Sequence, residues 1–403
     1  MKKKIVKKSK TRKKTYTTYC SSYGKVAEEH SGFGNREAVY LNYGELFCGP
    51  GGLAYGALRA CAHNEEETYR LRHVWASDFD EDACETYRHN ICPDSPKSVI
   101  TKDVRFLNIS KLEEIEAFAF GFPCNDFSLV GDKKGINGKY GPLYNYGIKV
   151  IDCLKPKFFI AENVSGIVSA NNGSAFKTIV RDLKSSGGGY KLTAHLYKAE
   201  EYGIPQTRHR IIIVGIHESL GLSFQVPAPT TLGKHITARE ALEIPPIPST
   251  AMNQDRTTQS KTVVERLKHI QPGDNVWNSN MPEHLRLNVK GARISQIYRR
   301  LHPDKPSYTI TGSGGGGTHC YHWLEPRALT NRERARLQTF PDGYEFKGSK
   351  ESVRKQIGMA VPPKLSEIIT TAVLKTFAGV KYNSISANMS FEETNLELSF
   401  GGL

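Results

Sequence analysis

The sequence predicts an α/β protein with a doubly wound, mostly parallel sheet and a smaller, loop-rich second domain. Three features lead to this fold class. Short apolar runs alternate with helical patterns across residues 39–225, as expected when parallel strands are joined by helices. A glycine-rich turn follows the first apolar run. The alternation is then lost across residues 226–325, where proline, glycine, histidine and arginine are frequent.

The apolar runs and helical patterns define the elements of the larger domain. The predicted strands cover residues 39–47, 73–78, 118–122, 157–163 and 210–216. The predicted helices cover residues 81–90, 146–154, 175–185, 328–340 and 363–377. Because two of these helices follow the aperiodic segment, we expect the larger domain to be assembled from both ends of the chain.

Composition and periodicity divide the chain into four parts. They are a basic N-terminal arm (1–38), the larger domain (39–225 plus 326–379), the smaller domain (226–325) and a weakly structured tail (380–403). The net charge is +14, and residues 1–14 hold nine basic residues and no acid. Such an arm either contacts nucleic acid phosphates or is a solvated tail, and the charge alone does not decide between the two.

Composition also excludes several classes of protein. With 38% hydrophobic and 24% charged residues, the chain resembles soluble globular proteins. No apolar run reaches the roughly 20 residues of a membrane span, and the N-terminus has no apolar signal-peptide core. The eight cysteines form no CxxC pair and no zinc-ligand spacing. We therefore expect no disulfide, no metal and a cytoplasmic location.

The turn after the first predicted strand is a candidate cofactor site. Gly49, Gly51 and Gly52 permit a tight turn and close approach of the main chain to a ligand. Asp78 ends the next strand, where an acid can bond ribose hydroxyls, and Asp103 in TKDVRF is a further acid before the strand at 118–122. The turn lacks GxGxxG and a Walker lysine, which favours an adenosine cofactor without pyrophosphate, such as S-adenosylmethionine. The alternative is an ordinary strand–helix turn.

A second candidate site lies around the segment GFPCNDFSLVG, residues 121–131. Cys124 stands at a turn after a predicted strand, where a thiolate can be exposed, and Glu162 ends the following strand. Arg208 and Arg210 begin a later strand. Together they suggest attack of the thiolate on C6 of a cytosine, with the carboxyl at N3 and an arginine at O2, before C5 takes a methyl group. Taken alone, each residue could instead be a buried cysteine, a surface glutamate or a surface arginine without a catalytic role.

Six motifs occur in a fixed order: ELFCGPGG, PCNDFS, ENV, QTRHR, ALTNRERARLQTFPDGYEF and QIGMAVPP. In this order they resemble the cytosine-5 DNA methyltransferases over residues 40–225 and 325–378. Residues 226–325 fall where that family keeps its target recognition domain. The resemblance implies a Rossmann-like class I fold and S-adenosylmethionine as methyl donor, with S-adenosylhomocysteine as product. It also implies a cytosine flipped out of double-stranded DNA as substrate.

The resemblance assigns individual residues. Cys124 matches the nucleophile, Glu162 the glutamate of ENV, and Arg208 and Arg210 the QxRxR pair. The positions that match the cofactor pocket are Phe47, Gly49, Gly51, Asp78, Phe79, Asp103, Val104, Pro123, Leu143, Ala360 and Val361. The chain departs from the family's usual Asp, Gln, Asn and Ser at four positions, which are Glu45, Asn125, Met359 and Ala360.

The DNA-facing part is expected within residues 293–317. Thr309 matches a position that supports the backbone of the flipped nucleotide, and Gln296 is spaced to fill the hole left in the duplex. Three arginines are candidates for phosphate or guanine contacts, or for a solvated rim, namely Arg293, Arg299 and Arg300.

The sequence leads to one main hypothesis and two alternatives. The main hypothesis is a DNA cytosine-5 methyltransferase that acts as a monomer and protects DNA from a cognate restriction endonuclease. The first alternative keeps the chemistry but uses tRNA as substrate, although the CFT signature of that branch is missing. The second is a non-catalytic DNA-binding relative, against which the intact Cys124, Glu162 and Arg208 argue.

Overall fold

The protein is described by a computed structural model over residues 36–122, 143–169, 173–288, 294–315 and 317–389. Its strands are β1 (Glu37–Leu46), β2 (Cys61–His63), β3 (Glu67–Asp78), β4 (Val99–Thr101), β5 (Ala117–Gly121), β6 (Phe158–Val164), β7 (Tyr190–Lys198), β8 (Gln206–Thr207), β9 (His209–His217), β10 (Val226–Pro227), β11 (Ser307–Tyr308) and β12 (Ser384–Ile385). Its helices are α1 (Gly52–Arg59), α2 (Glu81–Ile91), α3 (Tyr144–Leu154), α4 (Ser174–Ser185), α5 (Ala238–Glu243), α6 (Lys261–Lys268), α7 (Asn331–Leu337), α8 (Lys350–Met359) and α9 (Pro363–Phe377).

One eight-stranded sheet organises the described residues, in the order β2–β3–β1–β5–β6–β9–β7, with β4 paired to β3. The strands β4, β3, β1, β5 and β6 run parallel. Strand β9 is antiparallel to β6 and β7, and β2 is antiparallel to β3. The carboxyl ends of β1, β3, β5 and β6 therefore lie at one edge, where ligand sites gather in such sheets.

Helices cover both faces of this sheet. In β5, Ala117 and Ala119 face a core shared with α1, α2 and α9, while Phe118 and Phe120 face a core shared with α3 and α4. The alternation follows from the period of two along a strand. The predicted α/β fold with helices on both faces is confirmed, and the structure refines it to a mixed sheet.

Some elements differ from the prediction. All five predicted strands are present, as β1, β3, β5, β6 and β9, but β7 and α8 were not predicted because charged residues interrupt their apolar patterns. Helix α7 is shorter than its predicted range of 328–340. It begins after Thr330, whose hydroxyl accepts a hydrogen bond from the Glu333 N–H, and it ends before Thr339, which has a φ of 67°.

The C-terminal tail is more ordered up to residue 389 than the sequence suggests. Strand β12 pairs with β10, and the N–H of Leu196 donates to Asn388 Oδ1 at 2.8 Å. Met389 forms a further bridge with Ala194 of β7. The tail thereby forms hydrogen bonds with part of β7, an edge strand that would otherwise present unpaired main-chain groups.

Two further cores lie beside the sheet. One joins α5, α7 and α8 and includes Leu242, Leu337 and Ile357, whereas the other surrounds α6 and includes Tyr298 and Tyr321. Because the first core combines residues from both sides of position 326, the loop-rich segment packs directly on the chain that returns to the sheet.

The described residues contain one stretch with the length and apolarity of a membrane span, Lys350–Phe377. It comprises α8 and α9, and 72% of its most apolar window is buried inside the fold. We therefore assign it to the core of the molecule.

Candidate active site

A tight turn connects β1 to α1. Phe47, Gly49 and Gly51 take positive φ angles of 54°, 51° and 90°. A side chain at Gly52 would place its Cβ 2.3 Å from the carbonyl oxygen of Val361, so only glycine fits there. The turn is thus pressed against the segment that precedes α9, and the two ends of the chain meet at this point.

Asp78, at the end of β3, is bonded to this turn. The N–H of Gly49 donates to Oδ2 at 2.9 Å, and the N–H of Asp80 donates to Oδ1 at 3.0 Å. Burial raises the pKa of Asp78, and these amide bonds partly oppose the rise. Lys355 of α8 lies with its Nζ 2.8 Å from Asp80 Oδ2 and 5.8 Å from the centre of the Phe79 ring. A carboxylate beside an aromatic face provides the hydrogen bonding and stacking that suit an adenosine.

A cavity of about 120 Å³ opens beside the turn and the end of β3. The predicted cofactor residues that line it are Phe47, Gly49, Asp78, Phe79, Ala360 and Val361. Those that do not line it are Gly51, Asp103, Val104 and Leu143. The Asp103 carboxylate instead accepts hydrogen bonds from the main-chain N–H and the guanidinium of Arg105, and this guanidinium lowers the pKa of Asp103.

Glu162 and Arg210 form an ion pair at the same cavity. Arg210 Nε lies 2.9 Å from Glu162 Oε1, and both side chains are largely buried. Glu162 pairs with Gly121 across β6 and β5, and both residues line the cavity. The ion pair with the Arg210 guanidinium fixes the orientation of the Glu162 carboxylate. Pro123 and Cys124, the second and third residues after Gly121, lie outside the described residues.

A second, larger cleft of about 650 Å³ lies where β8 pairs with β11. Gln296, Arg299 and Thr309 line it together with Thr207. The hydroxyl of Thr309 donates to the carbonyl oxygen of Thr207 at 2.7 Å, and the Arg299 guanidinium lies 4.6 Å from the centre of the Tyr308 ring. The structure therefore brings four of the predicted DNA-contacting residues, Arg300 included, to one cleft next to the QTRHR motif. Arg293 lies outside the described residues.

The family of the chain follows from a comparison with known proteins. Residues 41–375 match the family model of the C-5 cytosine-specific DNA methylases. The chain belongs to this family. The match covers the glycine turn, the Glu162–Arg210 pair and the larger cleft, so both sites of the methylase lie within it. The DNA cytosine-5 methyltransferase activity predicted from the six motifs is confirmed.

Individual relatives agree with this assignment. The methylase is 61% identical to the type II methyltransferase M.BbvI of Brevibacillus brevis, over 88% of this chain and 96% of the relative. It is 39% identical to the type II methyltransferase M.NgoFVII of Neisseria gonorrhoeae, over 83% and 86% of the two chains. A crystal structure of a prophage-encoded E. coli protein, assigned as a DNA modification methyltransferase, superposes with a TM-score of 0.64 at 24% identity. It covers 84% of this chain and 99% of that protein, and it supports the fold alone.

The structure corrects the prediction for Arg208. This side chain is only 1% exposed. Its guanidinium donates to the carbonyl oxygens of Ile310, Gly358 and Ala360 at 3.2, 3.1 and 2.9 Å. Burial, and secondly the neighbouring Arg210, lower its pKa. In the methylase Arg208 therefore holds main-chain segments on both sides of the active site, and Arg210 is the arginine that reaches Glu162.

The structure also corrects the prediction for Arg300. The residue is 6% exposed, and burial lowers its pKa. Its guanidinium donates to four carbonyl oxygens, those of Leu267, Ile270, His322 and Trp323. With four of its five N–H donors bonded to carbonyl oxygens, Arg300 shapes the wall of the cleft and has little capacity left for a phosphate or guanine.

Three residues of the methylase sites were not selected from the sequence. Glu45 borders the cofactor cavity, accepts a hydrogen bond from the Tyr43 hydroxyl at 2.9 Å, and has a pKa raised by burial to about 8. Lys355 borders the same cavity. Gln206 is buried and accepts a hydrogen bond from the N–H of Ile310 at 2.9 Å. Each of the three belongs to, or lies next to, one of the motifs ELFCGPGG, QIGMAVPP and QTRHR, and this position is the feature of the sequence that could have indicated it.

Metal binding has no support in the geometry of the described residues. Among them, no group of three or more His, Cys, Asp or Glu side chains is placed to hold an ion.

Proposed function

We propose that this methylase transfers a methyl group from S-adenosylmethionine to C5 of a cytosine flipped out of double-stranded DNA, through a covalent bond between Cys124 and C6. The observation that carries the proposal is the Glu162–Arg210 ion pair, which borders the cavity beside the glycine turn. The pair presents an oriented carboxyl group next to the end of β5, and Cys124 follows β5 in sequence. A thiol nucleophile, a carboxyl and a cofactor cavity are the parts that this reaction needs.

The residues around the cavity suit S-adenosylmethionine. The carboxylate of Asp78 can accept from ribose hydroxyls, and the face of Phe79 can stack on an adenine ring. The other predicted residues of the lining, Phe47, Gly49, Ala360 and Val361, would contact the remaining surface of the cofactor, and Pro123 is a further candidate. Gly51, Asp103, Val104 and Leu143 would act from behind this lining. When bound, the cofactor supplies a methyl group on a sulfonium centre and becomes S-adenosylhomocysteine.

The chain's own residues carry the chemistry on the cytosine. The thiolate of Cys124 forms a bond to C6 while Glu162 gives a proton or a hydrogen bond to N3, so that negative charge does not accumulate on the ring. Arg210 holds this carboxyl in place and can stabilise charge on O2. The resulting enamine is nucleophilic at C5. After methylation, loss of the C5 proton to a base, return of the N3 proton to Glu162 and expulsion of the thiolate restore the neutral aromatic ring.

The larger cleft provides the DNA-facing surface. Residues 226–325 would form a target recognition domain, in which Gln296 fills the space left by the flipped base and Thr309 supports the displaced backbone. Arg299 and the candidate Arg293 would contact phosphates or guanines. The basic arm of residues 1–38 would add salt-dependent affinity for DNA.

The relatives support a biological role in restriction–modification. Two relatives are named type II methyltransferases, one of them 61% identical over almost the full length of both chains. We infer that this methylase marks a short DNA site in the cytoplasm and protects it from a cognate restriction endonuclease. A monomer suffices, because each transfer concerns one base.

Identification of the methylated base tests the reaction. Unmethylated plasmid DNA is incubated with tritiated S-adenosylmethionine, and label is expected in 5-methylcytosine. Label in N4-methylcytosine or N6-methyladenine would contradict the proposal. Transfer RNA as an alternative acceptor in the same assay should take up no label, and preferential labelling of RNA would favour the tRNA hypothesis.

Covalent trapping tests the nucleophile. A duplex in which 5-fluorocytosine replaces cytosine should form a denaturation-resistant adduct with the wild-type protein but not with Cys124→Ser, since fluorine at C5 blocks the elimination step. Cys153, which is exposed and free, offers the matched control, because Cys153→Ser should still be trapped. Equal trapping of Cys124→Ser would remove Cys124 from the mechanism.

A further inference from the structure

Arg299 presents a guanidinium group with unused hydrogen-bond donors to the DNA-facing cleft. The side chain lines the cleft and is half-buried. Within the described part of the chain, no acceptor bonds to this guanidinium and no acid pairs with it. The adjacent Arg300, by contrast, donates to four carbonyl oxygens. Arg300 therefore supports the wall of the cleft, whereas the donors of Arg299 remain available to a ligand.

Tyr308 holds Arg299 at two points. The guanidinium lies 4.6 Å from the centre of the Tyr308 ring, and the Tyr308 hydroxyl donates to the carbonyl oxygen of Arg299 at 2.8 Å. Tyr308 is itself fixed by the pairing of β11 with β8, where it stands opposite Thr207. Burial raises the pKa of Tyr308 well above its usual value, so its hydroxyl remains a donor at neutral pH. An arginine stacked on a fixed ring loses less side-chain freedom when it binds a ligand.

A strained turn places Arg299 beside Gln296. The N–H of Arg299 donates to the carbonyl oxygen of Gln296 at 3.3 Å, so the two residues are the last and the first of a tight turn. Within it, Tyr298 adopts a φ of 49°, which a tyrosine seldom takes, while its buried ring packs 5.8 Å, centre to centre, from that of Tyr321. Such strain persists only where the surrounding packing enforces it. The packing of Tyr298 therefore fixes where Gln296 and Arg299 enter the cleft.

The neighbourhood of Gln296 indicates which part of the DNA Arg299 meets. Gln296 is proposed to enter the base stack at the flipped cytosine, and the ends of a tight turn lie less than about 7 Å apart, which is about two base-pair steps. Arg299 is therefore expected at the base edges. In the major groove, guanine presents the acceptors N7 and O6 side by side, and the planar fork of an arginine matches this pair. Lys305, which lines the same cleft with a single ammonium group, suits a phosphate.

We propose that Arg299 donates two hydrogen bonds to N7 and O6 of a guanine within about two base pairs of the flipped cytosine, and that Tyr308 is a positioning residue that holds the guanidinium for this contact. The inference rests on the proposed DNA-methylating function and adds a determinant of sequence specificity to it. Adenine at this position would be rejected, because its exocyclic amine places a donor where guanine has O6.

Base analogues test the contact in the wild-type protein. Methylated sites are first mapped on genomic DNA after expression in a host without cytosine methylation. In duplexes with the mapped site, each guanine near the target is replaced by 7-deazaguanine, which lacks the N7 acceptor, or by hypoxanthine, which keeps N7 and O6. At one guanine, 7-deazaguanine should lower kcat/KM by about 10-fold or more, whereas hypoxanthine should not lower it. The proposal is overturned if no 7-deazaguanine has this effect, or if the mapped site has no guanine within that range.

Arg299→Met distinguishes a guanine contact from a phosphate contact. The loss caused by 7-deazaguanine should disappear in this variant, because the donor to N7 is gone. Lys305→Met removes a positive charge from the same cleft and is the matched control. It should weaken the binding of all duplexes alike and reduce the salt dependence, but keep the 7-deazaguanine effect. If that effect persists in Arg299→Met, Arg299 does not contact the base and the proposal is overturned.

A double-mutant cycle tests the positioning role of Tyr308. Tyr308→Leu removes the ring beside the guanidinium and should raise KM for DNA by about 2- to 30-fold while kcat is retained, and Tyr308→Phe, which keeps the ring, should recover most of this loss. In the Arg299→Met background, Tyr308→Leu should cause no further loss. An equal loss in both backgrounds would mean that Tyr308 supports the cleft and not Arg299, and would overturn its assignment. If the wild type produces no 5-methylcytosine, the proposed function fails instead, so the two failures are distinguishable.

Discussion

The cofactor cavity and the DNA-facing cleft are constructed in different ways. The cavity stands at the ends of neighbouring parallel strands, and residues such as Gly49, Asp78 and Glu162 come directly from the segments that end those strands. The cleft depends on bonds between distant segments, because β8 pairs with β11 and buried arginines tie carbonyl oxygens together. The strand ends therefore specify one side of the cavity and residues 355–361 close the other, whereas the cleft depends throughout on contacts between distant segments.

The largest expected effect is a loss of methyl-transfer rate in a variant of the cavity that still binds the cofactor. Glu162→Gln keeps the shape of the side chain but removes its proton chemistry at N3, so kcat should fall by about 10²- to 10⁴-fold. Affinity for S-adenosylmethionine should stay within a few-fold of wild type, because Glu162 is only one of many lining residues. Single-turnover methyl transfer and calorimetric titration of the cofactor measure the two quantities.

A surface glutamate gives the control for this variant. Glu85 is half-exposed in an ion pair with Arg88 on α2, and Glu85→Gln should leave both quantities unchanged. If Glu162→Gln lost cofactor binding as well as kcat, the carboxylate would serve the structure of the cavity and not the reaction.

The next largest effect is expected on stability and ligand binding when the two buried arginines, Arg208 and Arg300, are each replaced by methionine. Arg208→Met leaves three carbonyl oxygens without their donor and should lower the free energy of unfolding by about 3–5 kcal/mol. Because Gly358 and Ala360 lie beside the cofactor cavity and Ile310 lies near the cleft, binding of both the cofactor and DNA should weaken. Urea unfolding, calorimetry and fluorescence anisotropy at fixed salt measure these three properties.

Arg300→Met is the matched variant on the cleft side alone. All four of its carbonyl partners belong to residues 267–323, so DNA binding should weaken while cofactor binding is retained. If both variants reduced cofactor affinity equally, the cavity and the cleft would not be supported by separate sets of contacts.

The same division explains how much could be predicted from the sequence. The strands β1, β5, β6 and β9 and the glycine turn follow from apolar runs and turn residues that lie close together in the chain. The burial of Arg208 and Arg300 could not be predicted, because a sequence displays the charge of an arginine but not the carbonyl oxygens that its guanidinium will meet. Similarly, the capture of Asp103 by Arg105 depends on side-chain geometry. Cys124 remains a prediction, since it lies outside the described residues.

A pH effect is expected on the cavity side. Because burial raises the folded-state pKa of Glu45 to about 8, above its ordinary value of 4.5, the folded protein holds a proton that the unfolded chain releases across this interval. The contribution of Glu45 to the free energy of unfolding should therefore fall as pH rises from about 4.5 to about 8, by at most about 5 kcal/mol, and level off above that. Glu45→Gln should lack this dependence and be more stable than wild type near pH 8.

Urea unfolding at several pH values between these limits measures the difference. Glu81→Gln, which changes an exposed glutamate on α2, should follow the wild-type curve. A Glu45→Gln variant that keeps the wild-type slope would mean that another group is responsible for the pH dependence.

The smallest effect tests whether charge at the mouth of the cavity matters. Lys355 is half-exposed, pairs with Asp80 at 2.8 Å and lies near the Phe79 ring, so Lys355→Met should weaken S-adenosylmethionine binding by no more than about fivefold. An effect of charge should be larger at about 0.01 M salt than at about 1 M salt, where screening is strong. Lys350→Met, on the same helix but bonded to the carbonyl oxygen of Arg256, should not change cofactor affinity. An equal loss at both salt concentrations would mean that Lys355 contributes through packing of its aliphatic stem on Phe79, because packing is insensitive to ionic strength.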